Sequence, residues 1–450
     1  MKLNKRRMVT RLLFLTLCLL ATGSVLFTSV ETTDYQQTSY YKSTMAREDS
    51  LVEILKQQQQ QGSLKAGWGV ANITPEQPVR LTGKNFSPYD QIFDSVYVRT
   101  ILFQNGYQQV TVLSYDLWII HPSLAQYIRE RVQEEFPAIT GIYFTANHSH
   151  TSIGGWASGL LGTLIVGGNH PETVDFLGEQ TIKSLRQAEQ MLRPVTLGSG
   201  AIATDGLVTN RLNSQGLLDD KLRVLKMIND QGQVAVFNTY SAHSVYMNKD
   251  INTLSADYPG PFLDFIRDSG DIHFASFAPG ATGSHTPIGR KPFERSKMLS
   301  YSRELASYFR SLQGKIKTDN TNVLKYIEWP VDLRSPHFRV SNQIRFRPWI
   351  FNIVMGASDA SITALRVGNT VLVGLPVELS GEFYPMFDAV CKQRGLSLMI
   401  TSFNGWYLGY VNPEHYYFTL RRSETREMNW FGPQNGEYFV DLVNKILEII

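Results

Sequence analysis

IYFTANHSHTSIGGW, residues 142–156, changes within a few positions from apolar to polar character. Residues 142–144 are β-branched and aromatic, which is typical of the end of a buried β-strand. The chain then presents His148 and His150, with one residue between them, before a pair of glycines. This stretch therefore predicts a β-strand that is followed, at its carboxyl end, by two imidazole side chains.

Two interpretations of the histidine pair remain open at this point. Residues two apart on a strand point to the same face, so His148 and His150 would share one site. Imidazoles placed in this way suit a metal ion or proton transfer. A polar pair without catalytic function fits the same pattern, and the choice depends on the rest of the chain.

Composition favours a globular protein that does not bind nucleic acid. The 450 residues are 43% hydrophobic and 18% charged, enough for a large core in one or two domains. The net charge of +3 is misleading, because five basic residues precede the first acid, Glu31. The remaining chain has 38 Lys and Arg against 40 Asp and Glu, about −2. No basic stripe of the kind that binds nucleic acid is left.

The N-terminal segment 1–28 is predicted to be a signal peptide or an uncleaved membrane anchor. A basic start precedes the apolar run Leu12–Phe27. Its 16 residues are short for a spanning helix of about 20. Cys18 lies inside the run, where no lipid-attachment box would place it. Either form predicts export, to the medium, the cell envelope or a membrane anchored by this segment.

The cysteine content limits the disulfides, metal sites and nucleophiles that this chain can form. Only Cys391 lies outside the N-terminal segment, so the exported chain has no internal disulfide. A zinc site built from cysteines is disfavoured for the same reason, and so is a cysteine nucleophile.

Residues 29–64 are predicted to form a polar stalk that ends in the glutamine run 57–61. Residues 65–450 alternate strand and helix patterns without an internal repeat or a Gly-rich phosphate loop. The predicted fold class is α/β, a single large domain with mixed β-sheets flanked by helices.

Four further apolar runs end abruptly in polar residues, as the opening stretch does. Such strand ends are where α/β sheets place ligands. The residues that follow them include His243, Thr286, Glu378, and the pair Tyr407 and Tyr410. His148, His243, Glu378 and a tyrosine would suit zinc. Each also has a structural explanation: a core histidine, a carboxylate at a helix start, or a packing tyrosine.

Short motifs in this order resemble the neutral (non-lysosomal) ceramidase family, over roughly residues 65–435. The similar segments are AGWGVANITP (66–75), LTGKN (81–85), NHSHTSIGG (147–155), TNRLNS (209–214), AHSVYMNKDINTLSADYPG (242–260) and GLPVELS (374–380).

The resemblance implies roles for individual residues. A zinc ion would be held by His148, His243, Glu378 and Tyr410. His150 would contact the substrate and move a proton to the leaving amine. The substrate would also meet Arg211, Tyr407 and the backbone near Gly83, where an N–H or Tyr410 would stabilise the carbonyl oxygen. Thr286 would act as a nucleophile or only donate a hydrogen bond.

This sequence departs from the family pattern in three places. The family has GDxSP where this chain has Gly283-Ser284-His285-Thr286-Pro287, so Ser284 replaces an acid and Thr286 a serine. Ser423 falls near a substrate-contacting tyrosine of the family. The family's C-terminal immunoglobulin-like domain is expected to be absent.

Three functions follow as hypotheses. The first is a zinc amidohydrolase that splits the N-acyl bond of ceramide or a related lipid into a fatty acid and a sphingoid base. The second is a zinc hydrolase of the same fold acting on another amide or ester. The third is an exported binding protein that keeps the metal without turnover. The aromatic stretches FNGWYLGY (403–410) and RFRPWIF (345–351) belong to the core, line an acyl tunnel or rest on a membrane.

Overall fold

The structure is a computed structural model that describes residues 7–11, 14, 23–58, 62–83, 87–106, 108–247, 252–356 and 359–450. Most of the predicted signal or anchor segment lies outside these residues, as do Lys84, Asn85 and the stretch 248–251. Within the described ranges, no helix is long and apolar enough to cross a membrane.

The strands, in chain order, are β1 (Phe27–Ser29), β2 (Lys65–Asn72), β3 (Gln91–Ile92), β4 (Tyr97–Asn105), β5 (Gln108–Tyr115), β6 (Ile139–Ala146), β7 (Arg193–Ala203), β8 (Val208–Asn210), β9 (Lys221–Asn229), β10 (Val234–Tyr240), β11 (Thr253–Leu254), β12 (Phe274–Pro279), β13 (His285–Pro287), β14 (Asp319–Asn320), β15 (Leu324–Val331), β16 (Ile344–Phe346), β17 (Ala360–Val367), β18 (Thr370–Leu375), β19 (Glu378–Leu379), β20 (Ser397–Ser402) and β21 (Tyr410–Val411).

The α-helices are α1 (Ser39–Met45), α2 (Glu48–Gln57), α3 (Pro122–Glu135), α4 (Gly159–Val166), α5 (Pro171–Gln190), α6 (Pro259–Arg267), α7 (Arg295–Gln313), α8 (Pro348–Met355), α9 (Tyr384–Gln393), α10 (Glu414–Thr419) and α11 (Asn435–Ile449). Pro122 and Pro171 each stand at the start of a helix, where the missing proline N–H costs no hydrogen bond.

A large mixed sheet and a smaller one form the centre of the molecule. The large sheet has the strand order β12-β10-β9-β7-β2-β4-β5-β6, with β14 added beside β7. Its two parallel pairs, β10 with β12 and β5 with β6, lie at opposite ends of this order. The edge strands β6 and β12 nevertheless contact each other, so the sheet curls and brings the ends of both pairs together.

The smaller sheet, of order β15-β17-β18-β20, covers the large one. Trp68, Tyr143 and Phe237 of the large sheet pack in one buried cluster with Leu365 and Met399 of the smaller sheet. Helices cover the outer faces, including α3 and α5 on the large sheet and α9 and α11 on the smaller one. Strands covered on both sides are almost continuously apolar, and every residue of β18 is buried.

The predicted polar stalk is wrong as an account of residues 29–58. Leu51 and Leu55 of α2 are buried in the core cluster of the smaller sheet, and Tyr35 and Tyr41 pack against that cluster. Apolar residues four apart give α2 one apolar face, and this face packs against β15. The sequence of this segment does predict a short helix over Arg47–Lys56, close to the observed bounds, but not that this helix packs on the core.

Candidate active site

Four chain turns meet where the two sheets adjoin. His148 and His150 follow β6, and His243 follows β10, both in the large sheet. Glu378 follows β18 and Tyr410 follows β20, which are parallel neighbours in the smaller sheet. Glu378 and Tyr410 then pair with each other as the parallel strands β19 and β21. The sheet topology thus brings together side chains that are up to 262 positions apart in the sequence.

The histidine pair does not lie on a strand, contrary to the alternation argument. Strand β6 ends at Ala146, and His148 has a left-handed backbone with φ of 67°. A non-glycine residue in that region is strained, and such residues cluster at functional sites. The two rings are still in contact, edge to face, with centroids 4.8 Å apart and an interplanar angle of 82°. A turn, rather than strand periodicity, brings them together.

The three imidazoles form a compact cluster. His150 Nε2 lies 3.3 Å from His148 Nε2 and 3.1 Å from His243 Nε2. Their candidate ligand atoms all lie within 4.8 Å of one another. His148 and His243 are fully buried, whereas His150 is half-buried and faces a cavity.

Glu378 completes the buried part of the cluster. Its Oε2 atom lies 3.6 Å from His148 Nε2 and 3.4 Å from His243 Nδ1. Tyr407 donates its hydroxyl proton to the other oxygen, Oε1, at 2.7 Å. Oε2 itself has no hydrogen-bond partner among the described residues.

Burial sets the charge state of these groups. Desolvation, aided by the other imidazoles, lowers the pKa of His148 and of His243 well below the ordinary value. Desolvation raises the pKa of Glu378 to about 7. Both histidines are thus neutral at physiological pH, the form in which imidazole binds metals. A cation beside Glu378 would favour the ionised form of this carboxyl group and lower its pKa again.

Tyr410 lies between the cluster and Arg211. Arg211 Nη2 donates to the Tyr410 hydroxyl at 3.4 Å, and the guanidinium carbon lies 5.5 Å from the ring centroid. Nη1 of Arg211 forms an ion pair with Glu424 at 3.2 Å. Arg211 therefore holds a fixed position next to the cluster, as a substrate-orienting cation would.

The residues fit a zinc ion. The Nδ1 atom of His148 donates to the carbonyl of Trp118 at 2.7 Å, which leaves Nε2 free as a ligand atom, the usual arrangement in zinc sites. The unpartnered, buried Oε2 of Glu378 is the acceptor that a cation would satisfy. Ligands at about 2.1 Å from a tetrahedral ion lie about 3.4 Å apart, close to the 3.6 Å and 3.4 Å that separate Glu378 Oε2 from His148 Nε2 and from His243 Nδ1.

Two of the other predicted site residues lie outside this cluster. The N–H of Gly83 donates to the carbonyl of Ile165 at 2.9 Å, so this particular N–H is already bonded, and an oxyanion donor among the backbone N–H groups near Gly83 stays a prediction. Thr286 lies on β13, opposite Thr209 of β8. Its hydroxyl is buried and has no hydrogen-bond partner among the described residues, so no neighbouring base activates it.

Ser284, which stands where the family has an acid, belongs to a buried hydrogen-bond network. Its Oγ accepts from the N–H of Gly381 at 3.1 Å and bonds to Ser380 Oγ at 2.8 Å. His285 Nδ1 lies 2.7 Å away. Because His285 Nε2 accepts the N–H of Asp219, the neutral ring carries its proton on Nδ1 and donates to Ser284. His285 is thus not a base for this serine, and the network fixes the loop beside Glu378.

Sequence reasoning missed several residues that shape the site. Trp118 orients His148 through its carbonyl, and Phe403 stacks on the His148 ring at 4.2 Å. Trp118 follows β5, but the residues after that strand, DLWII (116–120), are apolar apart from Asp116, so the strand-to-polar pattern did not mark it. Glu424 lacked any such signal, because its contact with Arg211 depends on a turn far along the chain.

No family model matches this chain, and no curated protein matches its sequence. Solved structures do share its fold. The crystal structure of neutral ceramidase from Pseudomonas aeruginosa superposes with a TM-score of 0.70 at 17% identity, over 86% of this chain and 75% of that one. A ceramidase complexed with C2 gives 0.72 and 16%, with the same coverage.

The chain therefore has a mixed α/β fold of several sheets flanked by helices, the fold of the neutral ceramidase structures. This confirms the predicted fold class, and the resemblance suggested by the short motifs holds at the level of the fold.

Proposed function

We propose that this protein is a zinc-dependent amidohydrolase of the ceramidase type, which splits the N-acyl bond of ceramide or a related lipid. The observation that carries the proposal is the convergence of His148, His243, Glu378 and Tyr410 at the strand ends of this fold. The half-buried His150 stands at the cavity side of the same cluster.

Within this proposal, His148, His243, Glu378 and Tyr410 hold the zinc ion. When bound, zinc supplies a Lewis acid for the amide carbonyl and lowers the pKa of water towards neutrality. Tyr407 holds the carboxylate of Glu378 in place through the bond to Oε1. The carbonyl of Trp118 fixes the His148 ring in the same way.

The remaining residues act on the substrate. His150, whose Nε2 faces the two buried imidazoles, passes a proton to the nitrogen of the departing amine. Arg211 holds the polar part of the substrate beside Tyr410. Thr286 donates a hydrogen bond from its unpartnered hydroxyl, since it lacks a base that would make it a nucleophile.

Hydrolysis of a different amide or an ester is a second candidate. The observation that favours it is the loop Gly283–Pro287, where Ser284 binds Ser380 and Gly381 in place of the family's acid. Export of the protein, expected from the N-terminal segment, stays a prediction.

Purified protein should be assayed against a short labelled ceramide before and after removal of metal by a chelator, and again after zinc is returned. We expect hydrolysis that is lost with the metal, is restored by zinc, and is absent in His148→Ala. His415→Ala, a change of an exposed histidine, is the matched control. Hydrolysis that persists without metal would refute the zinc mechanism, and cleavage of simple acyl esters alone would favour the second candidate.

A further inference from the structure

The histidine cluster opens into a cavity of about 590 Å³. His150, His243 and Tyr410 line its inner end. A catalytic cluster at the end of a cavity of this size can receive one amphiphile, with the scissile bond at the inner end. The charges on the remaining wall therefore bear on what the substrate carries next to its amide.

That wall is cationic. Arg211, Arg290 and Lys291 line the cavity, and no aspartate or glutamate is among the described lining residues. Glu424 pairs with Arg211 at 3.2 Å and neutralises that one cation. A bound zinc ion would add further positive charge at the inner end. Lys291 is exposed and Arg290 is half-buried, so this positive charge lies on the solvent side of the cavity.

Arg290 and Lys291 have no directly bonded counter-ion among the described residues. In the described part of the chain, neither side chain makes a hydrogen bond or an ion pair with another residue. Two acids, Asp257 and Glu424, act on Arg290 electrostatically. The Asp257 carboxylate is buried and accepts three backbone N–H groups, those of Tyr246, Met247 and Tyr258. Glu424 is bound to Arg211, so neither acid saturates the Arg290 guanidinium.

Arg290 is half-buried, and this burial affects how strongly its guanidinium group binds an anion. Burial, and after it the neighbouring Arg211, lowers the pKa of Arg290, as expected for a partly desolvated guanidinium. Desolvated guanidinium groups bind carboxylate, phosphate and sulfonate oxygens more strongly than exposed ones do. Val245, Met247 and Phe293 supply apolar wall beside these cations, so the cavity accommodates a hydrocarbon chain as well.

We propose that the substrate is an N-acyl amide that carries an anionic group, a carboxylate, phosphate or sulfonate, on its amine portion, and that Arg290 and Lys291 bind this anion. The inference rests on the proposed function and specifies its substrate class. Hydrolysis adds water across the C–N bond: the acyl carbon gains the hydroxyl, the nitrogen gains the proton, and no redox partner is needed.

The test uses the zinc-loaded full-length chain. The substrates each have a single N-acyl chain and differ in the headgroup on the amine portion. N-dodecanoyl ethanolamine and a short ceramide are neutral; N-dodecanoyl glycine, N-dodecanoyl taurine and the phosphate of the short ceramide are anionic. We expect kcat/KM to be at least about tenfold higher for one anionic class, and the advantage to shrink in 0.5 M NaCl. The three anionic arms identify which oxyanion is preferred.

Arg290→Gln and Lys291→Gln should each lower the anionic-to-neutral ratio of kcat/KM by roughly three- to tenfold. The double variant should bring the ratio close to one. Lys315→Gln, which removes an exposed lysine outside the cavity lining, is the control and should keep the wild-type ratio.

Two failures are distinguishable. Neutral substrates cleaved as well as anionic ones, with a ratio that the variants do not change, would overturn the anionic substrate while leaving the proposed function intact. If no substrate is cleaved, the proposed function fails. Binding of N-dodecanoyl taurine, measured by calorimetry, then tests the anion site separately. A Kd weakened at least tenfold in the double variant would support the anion site; an equal Kd would overturn it.

Discussion

Tyr407 and Glu378 are joined by a 2.7 Å hydrogen bond from the tyrosine hydroxyl to Oε1 of the carboxylate. Because Oε1 is held in this way, Oε2 is left facing His148 and His243 at 3.6 and 3.4 Å. If Glu378 binds zinc as proposed, this hydrogen bond makes Tyr407 a positioning residue for a metal ligand, whereas the motif resemblance assigned it to the substrate. Both roles are open to experiment.

Tyr407→Phe should weaken zinc binding by roughly 10- to 100-fold, because an outer hydrogen bond that orients a ligand is lost. Competition against a chromophoric chelator measures the affinity. Tyr246→Phe is the matched control, since Tyr246 lines the cavity without a bond to Glu378. A Tyr407→Phe variant that binds zinc as tightly as wild type would leave this tyrosine with a substrate role only.

Substitutions of the three clustered histidines should differ in their effects on zinc content and on kcat. His148→Ala and His243→Ala should lose zinc, because each removes a buried ligand. His150→Ala should keep about one zinc per chain while kcat falls by roughly 10²–10⁴-fold, the usual contribution of a general acid or base. Metal analysis and kinetics on the same preparations make the comparison, with His415→Ala as control. Loss of zinc in His150→Ala would instead make the three-histidine cluster the metal site.

Thr286→Val removes a hydroxyl that is buried without a partner. We expect the free energy of unfolding to stay the same or to rise by about 1 kcal/mol, since an unsatisfied buried polar group is removed at nearly constant volume. We expect kcat to fall if the hydroxyl contacts the substrate. Urea unfolding and steady-state kinetics give the two values. A large loss of stability with unchanged kcat would show that Thr286 is structural.

Asp94 should make stability depend on pH. Burial raises its pKa from the ordinary 3.8 to about 8, and its Oδ2 has no hydrogen-bond partner among the described residues. Between these values the folded chain keeps the proton and the unfolded chain releases it. The contribution of Asp94 to stability is therefore full below pH 3.8 and is lost as pH rises towards 8, at up to about 1.4 kcal/mol per pH unit.

Asp94→Asn removes the titrating group and should flatten this dependence. The difference in unfolding free energy between wild type and variant, measured by urea titration from pH 5 to 8, should fall steadily as pH rises. Asp271→Asn, at an exposed position, should reproduce the wild-type slope. Parallel curves for wild type and Asp94→Asn would mean that Asp94 titrates in the ordinary acidic range.

Much of the regular structure was predictable from local pattern. The sequence pattern predicts a helix over Pro122–Glu135, and α3 has these bounds. The pattern also predicts a strand over Val234–Tyr240, and β10 has these bounds. The helix α4, with sequence GLLGTLIV, was missed because a nearly uniform apolar segment with two glycines has no helical period to detect.

The sequence by itself determined which residue types stand at the ends of strands, and hence which could meet at one edge. It also determined the alternation of strands and helices that makes the chain α/β. Only the tertiary structure decided that β6 and β10 of one sheet meet β18 and β20 of the other. Such contacts join positions hundreds of residues apart, and no local periodicity encodes them.

The same distinction applies to residues 142–156 and to the nearby backbone at Gly83. Its polar residues were visible in the sequence, but the left-handed turn at His148 and the donation of Gly83 N–H to Ile165 were not. Backbone geometry past a strand end is set by the neighbours that satisfy its hydrogen bonds, and those neighbours exist only in the folded chain.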